Sequence, residues 1–552
     1  MERVIIGFSS IFRIGLCWLR YSSGSGNQNL GYCDSIAGAA CGSYEMKRRE
    51  LFRGTFAVGA FAALKEPVKV LGTQDNASQA AKNAFPQVSG LTRYVAEFVL
   101  KLKYEDIPSE VIALAKKSIL DGFGLALAGS ASELGVLSRK YVQSLGIAAG
   151  NSTIIGSSLK TSPRFAAFAN GISIHADDFD DTQLAVAKDR VYGLLTHPTA
   201  PVLPALFAIA ESSGPTSAKD FLAAYLAGAE TETKIAEAIS PRHYEDGFHS
   251  SGTCGSFGSV ATCARIRGLT LQQTLNAFGI AAAEAGGLRE NFGTMTKPFQ
   301  PGHAAENGVA AADLAALGWT AAEQILEAPR GFFHAYGGTY DPAAIQNKLG
   351  NPWTFANPGV SIKPYPSGSL THPAMNAMMR LIQKNNIKPA DVQKIDVGTN
   401  HNMPNTLIRH HPQTGLQAKF SMEFCIAVLL LERKATLAEF TDDYVQRPEV
   451  QEMIRRVNFY VDPVAEKAGF DKMTSLITVH LRDGRMLKDQ ADFAKGSPAD
   501  PMTFEEVAAK FRGCAAYANW PKEKTEKLIE AVSKLEQISD MRALSISLRS
   551  SL

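Results

Sequence analysis

From residue 89 to about residue 355, apolar positions recur every three or four residues and the breaks between runs are short. After Pro108, the residues Val111, Leu114, Ile119 and Phe123 fall at helical spacing, with Ser109 placed to cap; this run closes at Ala128-Gly129-Ser130. The same spacing predicts helices over 166–175, 200–211, 218–239, 271–285 and 304–316. Small residues dominate them, which lets helices pack closely.

The pattern changes near residue 358. Residues 392–397 and 457–461 alternate as strands do, and 476–481 followed by Arg482-Asp483-Gly484-Arg485 and Met486-Leu487 reads as a hairpin with an Asp-Gly turn. Beyond residue 502 the helical period returns, over 504–511 and 522–535. The expected fold is mainly α. A large helical domain is built from both chain ends, 89–357 and 500–552, and is interrupted by a smaller α+β domain over 358–499. No internal repeat is found.

Composition narrows the class. The 552 residues are 45% hydrophobic and 20% charged, which suits a globular chain of two or more domains. A formal net charge of +2, with no basic stripe among aromatics, gives no reason to expect nucleic acid as a partner. No apolar run reaches the roughly 18 residues of a spanning helix, so no membrane partner is expected. The cysteines are Cys17, Cys33, Cys41, Cys254, Cys263, Cys425 and Cys514. An odd, widely spaced set argues against a disulfide framework, and no C-x-x-C pair points to zinc; the last four are expected to be reduced, mostly buried thiols.

Residues 1–88 lie before the periodic body. Residues 1–45 carry a Ser/Gly/Asn-rich stretch and are expected to be a non-native or disordered extension. From Met46, the twin arginines Arg48 and Arg49 precede an apolar run from Thr55 to Leu64, which reads as a twin-arginine export signal and a periplasmic destination. A chance pair of arginines, or an organelle transit peptide over 1–25, are the alternatives; without a signal the expected location is cytoplasmic. Residues 65–88 read as a polar linker.

Polar residues gather in five stretches of otherwise small, apolar sequence. In His175-Ala-Asp-Asp-Phe-Asp-Asp-Thr182, a helix would put His175, Asp178 and Thr182 on one face. Four carboxylates so close repel one another unless cations, donors or a function hold them; a solvated helix end is the plain alternative. Thr196-His197-Pro198 opens a helix, where His197 can meet an anion held by free N–H groups or can simply pack. The run from Gly247 to Gly258 places His249 before a Gly/Ser-rich helix start, a possible nest of donors for carboxylate with Ser256 inside it, or glycines serving only close packing. The Pro-stiffened loop from Gly293 to His303 fixes Lys297 and His303. Lys363, Tyr365 and His372 share a Pro/Gly-rich loop at the domain junction, where clefts form.

The segments HADDFDDT, THPTAPVLPAL, GFHSSGTCGSFG, GTMTKPFQPGHAAENG, EAPRGFF and KPYPSGSLTHPAM, in this order from about residue 90 to about residue 540, closely resemble the MmgE/PrpD family. That family includes 2-methylcitrate dehydratases, cis-aconitate decarboxylases and iminodisuccinate epimerases. The resemblance implies a helical domain with an inserted α+β lid, a homodimer, no metal or organic cofactor, and a small polycarboxylate substrate. It places Asp178, Thr182, His197, His249 and Lys297 at active-site positions, and Lys363, Tyr365 and His372 in the lid's active-site segment. His303 and Ser256 are taken as substrate contacts. The sequence departs from the pattern at Gln300, where relatives often carry His. It departs again in the spacer 184–195, and at Ser367-Gly368-Ser369, where decarboxylase-type members carry a His. The last departure counts against cis-aconitate decarboxylation and does not select another substrate. A dehydratase acting by general acid/base catalysis is expected, with decarboxylase, epimerase or a non-catalytic polycarboxylate-binding protein as alternatives. Asp177-Asp-Phe-Asp-Asp181 also matches the D-D-x-x-D element of isoprenoid synthases, but the second metal motif that those enzymes need is not found.

Overall fold

The computed structural model describes residues 85–147, 150–183, 196–239, 241–469 and 472–550. The twin-arginine-like stretch, almost all of the linker and the spacer 184–195 lie outside the described residues. The protein is mainly α-helical. The first long helices are α1 (Leu91–Lys101), α2 (Ser109–Ala131), α3 (Glu133–Ser144), α4 (Pro163–His175), α5 (Thr199–Ser212), α6 (Ala218–Ala238), α7 (Gly255–Ile266), α8 (Leu271–Glu284) and α9 (Thr296–Ala316). Most match the apolar periodicity to within a few residues. Ser109, read as a cap, is the first helical residue of α2, and Pro108 precedes it without a capping side chain.

α9 differs most from expectation. It begins eight residues before residue 304, so Lys297 and His303 stand on a helix and not in a loop. Pro298 falls in the first turn, where no backbone donor is needed, and only Pro301 interrupts the ladder. α9 crosses α4 at a glycine pair. A Cβ on Gly171 would lie 2.7 Å from the Gly302 Cα, and one on Gly302 would lie 2.8 Å from the Ile172 nitrogen. Only hydrogen at both positions lets the two backbones approach so closely. The crossing sets the end of α4 beside the start of α9.

Two short antiparallel pairs lie among the helices: β1 (Ser152–Thr153) pairs with β2 (Lys160–Thr161), and β3 (Thr182–Gln183) pairs with β4 (Val360–Ser361), Thr182 opposite Ser361, which ties this helical body to the segment after residue 359. A four-stranded sheet is built from β5 (Val392–Thr399), β6 (Val457–Val461), β7 (Ser475–Leu481) and β8 (Met486–Ala491), in the order β6-β5-β7-β8. β5 and β6 run parallel; the other neighbours are antiparallel. The expected hairpin is present, with Gly484 at φ +89° in its turn. Helices α10 (His372–Asn385) and α11 (Met422–Glu432) share an apolar core with this sheet, including Met378, Phe424, Val397 and Val479.

The last helices, α12 (Phe504–Tyr517) and α13 (Lys522–Ser533), return to the helical body. Phe511 of α12 and Leu528 of α13 join the core around Phe123 and Phe207. Cys254, Cys263, Cys425 and Cys514 are free and buried, as expected. No helix among the described residues is long and apolar enough to cross a membrane.

Candidate active site

The acidic stretch is not a helix. α4 ends at His175, and the chain turns through Asp178, whose φ of +48° is left-handed, before entering β3 at Thr182. A helix would have left the four carboxylates crowded on one turn; the turn sends each to its own partner. Asp177 pairs with Lys419 at 2.7 Å. Asp178 pairs with Lys297 at 2.5 Å and Lys363 at 3.1 Å. Asp180 takes the Nδ1 of His175 at 2.8 Å and of His197 at 3.3 Å. Asp181 accepts from the Thr199 hydroxyl at 2.6 Å. Lys510 of α12 donates to the Phe179 carbonyl at 2.7 Å and holds the turn from behind.

A narrow cavity opens against this turn, lined by Asp178, Thr182, His197, His249, Lys297 and Lys363. Thr182 reaches it from β3, where its hydroxyl donates to the Thr196 carbonyl at 3.1 Å. Lys363 arrives two residues after β4 and donates to the Asp178 carbonyl at 2.8 Å. Tyr244, Phe292 and Phe420 form an aromatic wall, with Ser369 and Thr406 nearby. The wall was not legible from the chain, because aromatic residues in loops have the same pattern whether they line a cavity or fill a core.

Electrostatics separate the roles. Burial alone would raise the Asp178 carboxyl, but the Lys297 and Lys363 ammonium groups prevail and keep it ionised far below its usual range. Burial lowers the pKa of Lys297, with Asp178 opposing the shift. Burial raises the Asp180 carboxyl, and its hydrogen-bonded histidines more than reverse that, so it too is a carboxylate. His175 is pushed down to about 3 by burial, despite Asp180. Burial also lowers His197 and, with Lys297 beside it, takes His249 well below its usual value. The three imidazoles are neutral at physiological pH.

Their tautomers follow from their partners. An ionised carboxylate only accepts, so Nδ1 of His175 carries the proton and Nε2 the lone pair; Nε2 accordingly accepts from Lys297 at 2.7 Å. Nδ1 of His197 faces the Asp181 carbonyl at 3.0 Å and the Asp180 carboxylate, both acceptors. Nδ1 of His249 faces the Gln300 Oε1 at 2.6 Å. Among the described residues, no hydrogen bond engages Nε2 of His197 or His249. Asp178 Oδ2 is buried and also has no partner among the described residues.

His175, His197 and His249 bring ligand atoms within 4.8 Å of one another, as do His175, Asp178, Asp180 and His197. The donor set fits a divalent ion poorly. Lys297 takes the Nε2 of His175 and an oxygen of Asp178, so an ion would have to displace an ammonium from two of its own ligands.

Four expected contacts do not reach the cavity. His303 lies six residues beyond Lys297 on α9, about 240° around the helix; it pairs with Glu306 at 2.7 Å and stacks on Phe299. Ser256 donates back to the Gly252 carbonyl at 3.1 Å. The donor nest around it is absent, since the N–H groups of Gly252, Thr253, Cys254, Phe257 and Gly258 are taken by the His249, Ser250 and Cys254 carbonyls. The glycines there serve packing, Gly252 lying against the Gly286 carbonyl. The Tyr365 hydroxyl turns to Asn376 at 3.4 Å, and His372 faces the Ser367 carbonyl at 3.2 Å within its own loop. Conversely, His175 and Asp180 stand in the acidic motif and Gln300 was visible as a departure, but none was assigned a role.

A buried site of paired lysines and neutral imidazoles, set in a mainly helical protein, defines the class. The MmgE/PrpD N-terminal domain model matches residues 93–344 and the C-terminal domain model residues 365–537, and the chain belongs to this family. It is similar to cis-aconitate decarboxylase of Homo sapiens, at 29% identity over 84% of this chain and 95% of that protein. It resembles cis-aconitate decarboxylase of Aspergillus terreus (strain NIH 2624 / FGSC A1156) at 27% identity, over 83% of this chain and 95% of the relative. Similarity to 2-methylcitrate dehydratase of Escherichia coli (strain K12) is 24% over 60% of this chain and 71% of that protein.

Proposed function

We propose that this protein is a lyase that acts on a small polycarboxylate by general acid/base catalysis, and that its reaction is loss of water from a 2-hydroxy acid of the 2-methylcitrate kind. The observation that carries this reading is the unprotonated Nε2 of His197, backed by Asp180, in a cavity shared with the Lys297 and Lys363 ammonium groups. A histidine that stays neutral at physiological pH rests in the form that removes a proton.

In this reading the lysines hold a substrate carboxylate. His197 Nε2 takes the proton from the carbon next to it, and Asp180 stabilises the imidazolium that forms. The lysines offset the charge that develops on the carboxylate. Lys297, made a readier donor by burial, gives a proton to the departing hydroxyl, and water leaves. Proton transfer from His197 to the neutral Lys297 restores the resting charges. A positioned acid or base contributes about 10²–10⁴-fold, so the pair supplies a large part of the rate. Asp178, expected at an active-site position, is held by the two lysines and positions them.

Decarboxylation is the second reading. It is favoured by the relatives named cis-aconitate decarboxylase, which match over 95% of their length. Ser367, Gly368 and Ser369 in place of the His carried by decarboxylase-type members speak against it. The test is to incubate the full chain with 2-methylcitrate, citrate, cis-aconitate and iminodisuccinate in D₂O with EDTA, and to follow each by NMR. Loss of water supports the first reading, and loss of CO₂ from cis-aconitate the second. A shift in melting temperature with no turnover of any of the four would mean a binding protein.

A further inference from the structure

The three imidazoles of the site are not backed alike. Asp180, a carboxylate, faces Nδ1 of both His175 and His197. Nδ1 of His249 meets a neutral amide, the Gln300 Oε1, at 2.6 Å. That amide has a fixed orientation, because its Nε2 donates to the Leu288 carbonyl at 2.9 Å, and a carbonyl can only accept. Gln300 is buried one turn along α9 from Lys297 and packs against Gly287, where a Cβ would lie 3.1 Å from its Oε1. Both ends of the amide are thus spoken for.

We propose that Gln300 is a positioning residue that holds His249 in the Nδ1–H tautomer, so that the cavity receives an acceptor-only Nε2 that selects a ligand bearing a hydroxyl. The assignment rests on the polycarboxylate reading above and deepens it. A lone pair aimed into the cavity, with no donor opposite it among the described residues, is met by a hydroxyl that a ligand brings, and a site built around such a group discriminates against an analogue lacking the hydroxyl. The groups around His249 are the Lys297 ammonium, the neutral His175 and His197, and the Phe292 ring edge-on at 5.1 Å. Among the described residues none of them makes a hydrogen bond to Nε2, whereas the Gln300 Oε1 accepts at Nδ1. A neutral backing group also gives His249 no charge to stabilise an imidazolium, unlike Asp180 behind His197, so His249 binds where His197 abstracts.

Two measurements on the full-length protein test this. The first needs no ligand: ring-¹⁵N histidine labelling at neutral pH, with His249→Asn identifying the His249 signals. The wild type is expected to show a protonated Nδ1 and a lone-pair Nε2. Gln300→Glu, whose carboxylate also accepts, should keep that pattern, and Gln300→Met should lose it while the other histidine signals stay in place. An Nε2–H tautomer in the wild type, or an unchanged pattern in Gln300→Met, would overturn the proposal. The second compares binding of citrate with tricarballylate, the same acid without its hydroxyl. The wild type should prefer citrate by about tenfold or more, and Gln300→Met should shrink the ratio by about fivefold, with Asp178 Oδ2 as the remaining acceptor. Equal binding of both acids by the wild type would defeat the hydroxyl selection and leave the polycarboxylate reading standing. Binding of neither would defeat that reading and the selection with it, while the tautomer result would still decide the role of Gln300.

Discussion

The Lys297 ammonium donates to Nε2 of His175 across 2.7 Å while it pairs with Asp178 at 2.5 Å, so one buried cation joins the end of α4 to the start of α9. Removing it leaves His175 without a donor and Asp178 with Lys363 alone. Lys297→Met is expected to lower kcat/KM by about 10²–10⁴-fold. It should also destabilise the fold by up to about 3–5 kcal/mol, the cost of breaking a buried pair, reduced by whatever Lys363 retains. Lys297→Arg should not restore turnover, because a planar fork cannot replace a point charge held between an imidazole and a carboxylate. Steady-state kinetics and urea unfolding check this, and a Met variant with kcat/KM within threefold of wild type would remove Lys297 from the reaction.

The glycine crossing that delivers Lys297 is open to a separate test. In Gly302→Ala the new Cβ would meet the Ile172 side chain at 2.6 Å and its backbone nitrogen at 2.8 Å. A backbone atom cannot move aside cheaply, so α4 and α9 must separate. Overpacking of this kind costs about 1–3 kcal/mol. The expected signature is a lower Tm together with a loss of activity larger than the loss of stability explains, since His175 and Lys297 move apart. Wild-type activity at a lowered Tm would mean that the crossing serves stability alone.

What the chain revealed depended on distance along it. The strand alternation at Val392 and Val457 and the turn around Gly484 are local, and the expected elements stand at those places. The acidic stretch misled because a helix through Asp178 satisfies the spacing rule, while its actual partners, Lys297, Lys363 and Lys419, lie more than a hundred residues away. Pro298 and Pro301 read as breakers, yet the first stands where α9 needs no donor. Asp178, Thr182, His197, His249, Lys297 and Lys363 do share a cavity, and motif likeness named them. Gln300 showed only as a substitution, because its role depends on which way the His249 ring faces.

Lys510 ties the C-terminal helices to the site. It pairs with Asp121 at 2.8 Å and donates to the Phe179 carbonyl, in the middle of the Asp178–Asp181 turn. Burial already raises the Asp121 carboxyl to about 6 in spite of Lys510. Lys510→Met would leave that carboxyl buried with only the more distant pull of Lys363, at a cost of up to about 3–5 kcal/mol, less whatever protonation of the carboxyl relieves. Adding Asp121→Asn should recover most of the stability, because the stranded charge is gone. It should not recover kcat, because the Phe179 carbonyl is still unheld and the turn that carries Asp178 and Asp180 is looser. A double variant with wild-type kcat would confine Lys510 to a structural role.

The pH dependence of stability can be tested at His372, which lies outside the cavity. Burial, reinforced by the Lys363 ammonium and opposed by Asp178, lowers its pKa to about 3. In the unfolded chain the value is about 6.5. As pH falls below about 6.5 the unfolded state takes up the proton first, so this group's contribution to stability is fully present above that pH and is lost progressively towards about 3. Asp181 and Glu230, raised by burial to about 7, act in the opposite sense, so the whole protein's profile mixes the two. Comparison with His372→Gln isolates the one residue, since glutamine can still donate to the Ser367 carbonyl and does not titrate. At pH 8 the variant should be the less stable by about 1 kcal/mol, for imperfect packing and one altered hydrogen bond. Below pH 6.5 it should gain on the wild type by about 1.4 kcal/mol per pH unit, and the two stabilities should cross before pH 5. Urea unfolding at pH 8, 6 and 4.5 measures the difference. A gap that stays constant across that range would mean that His372 takes up its proton in the folded protein as readily as in the unfolded chain.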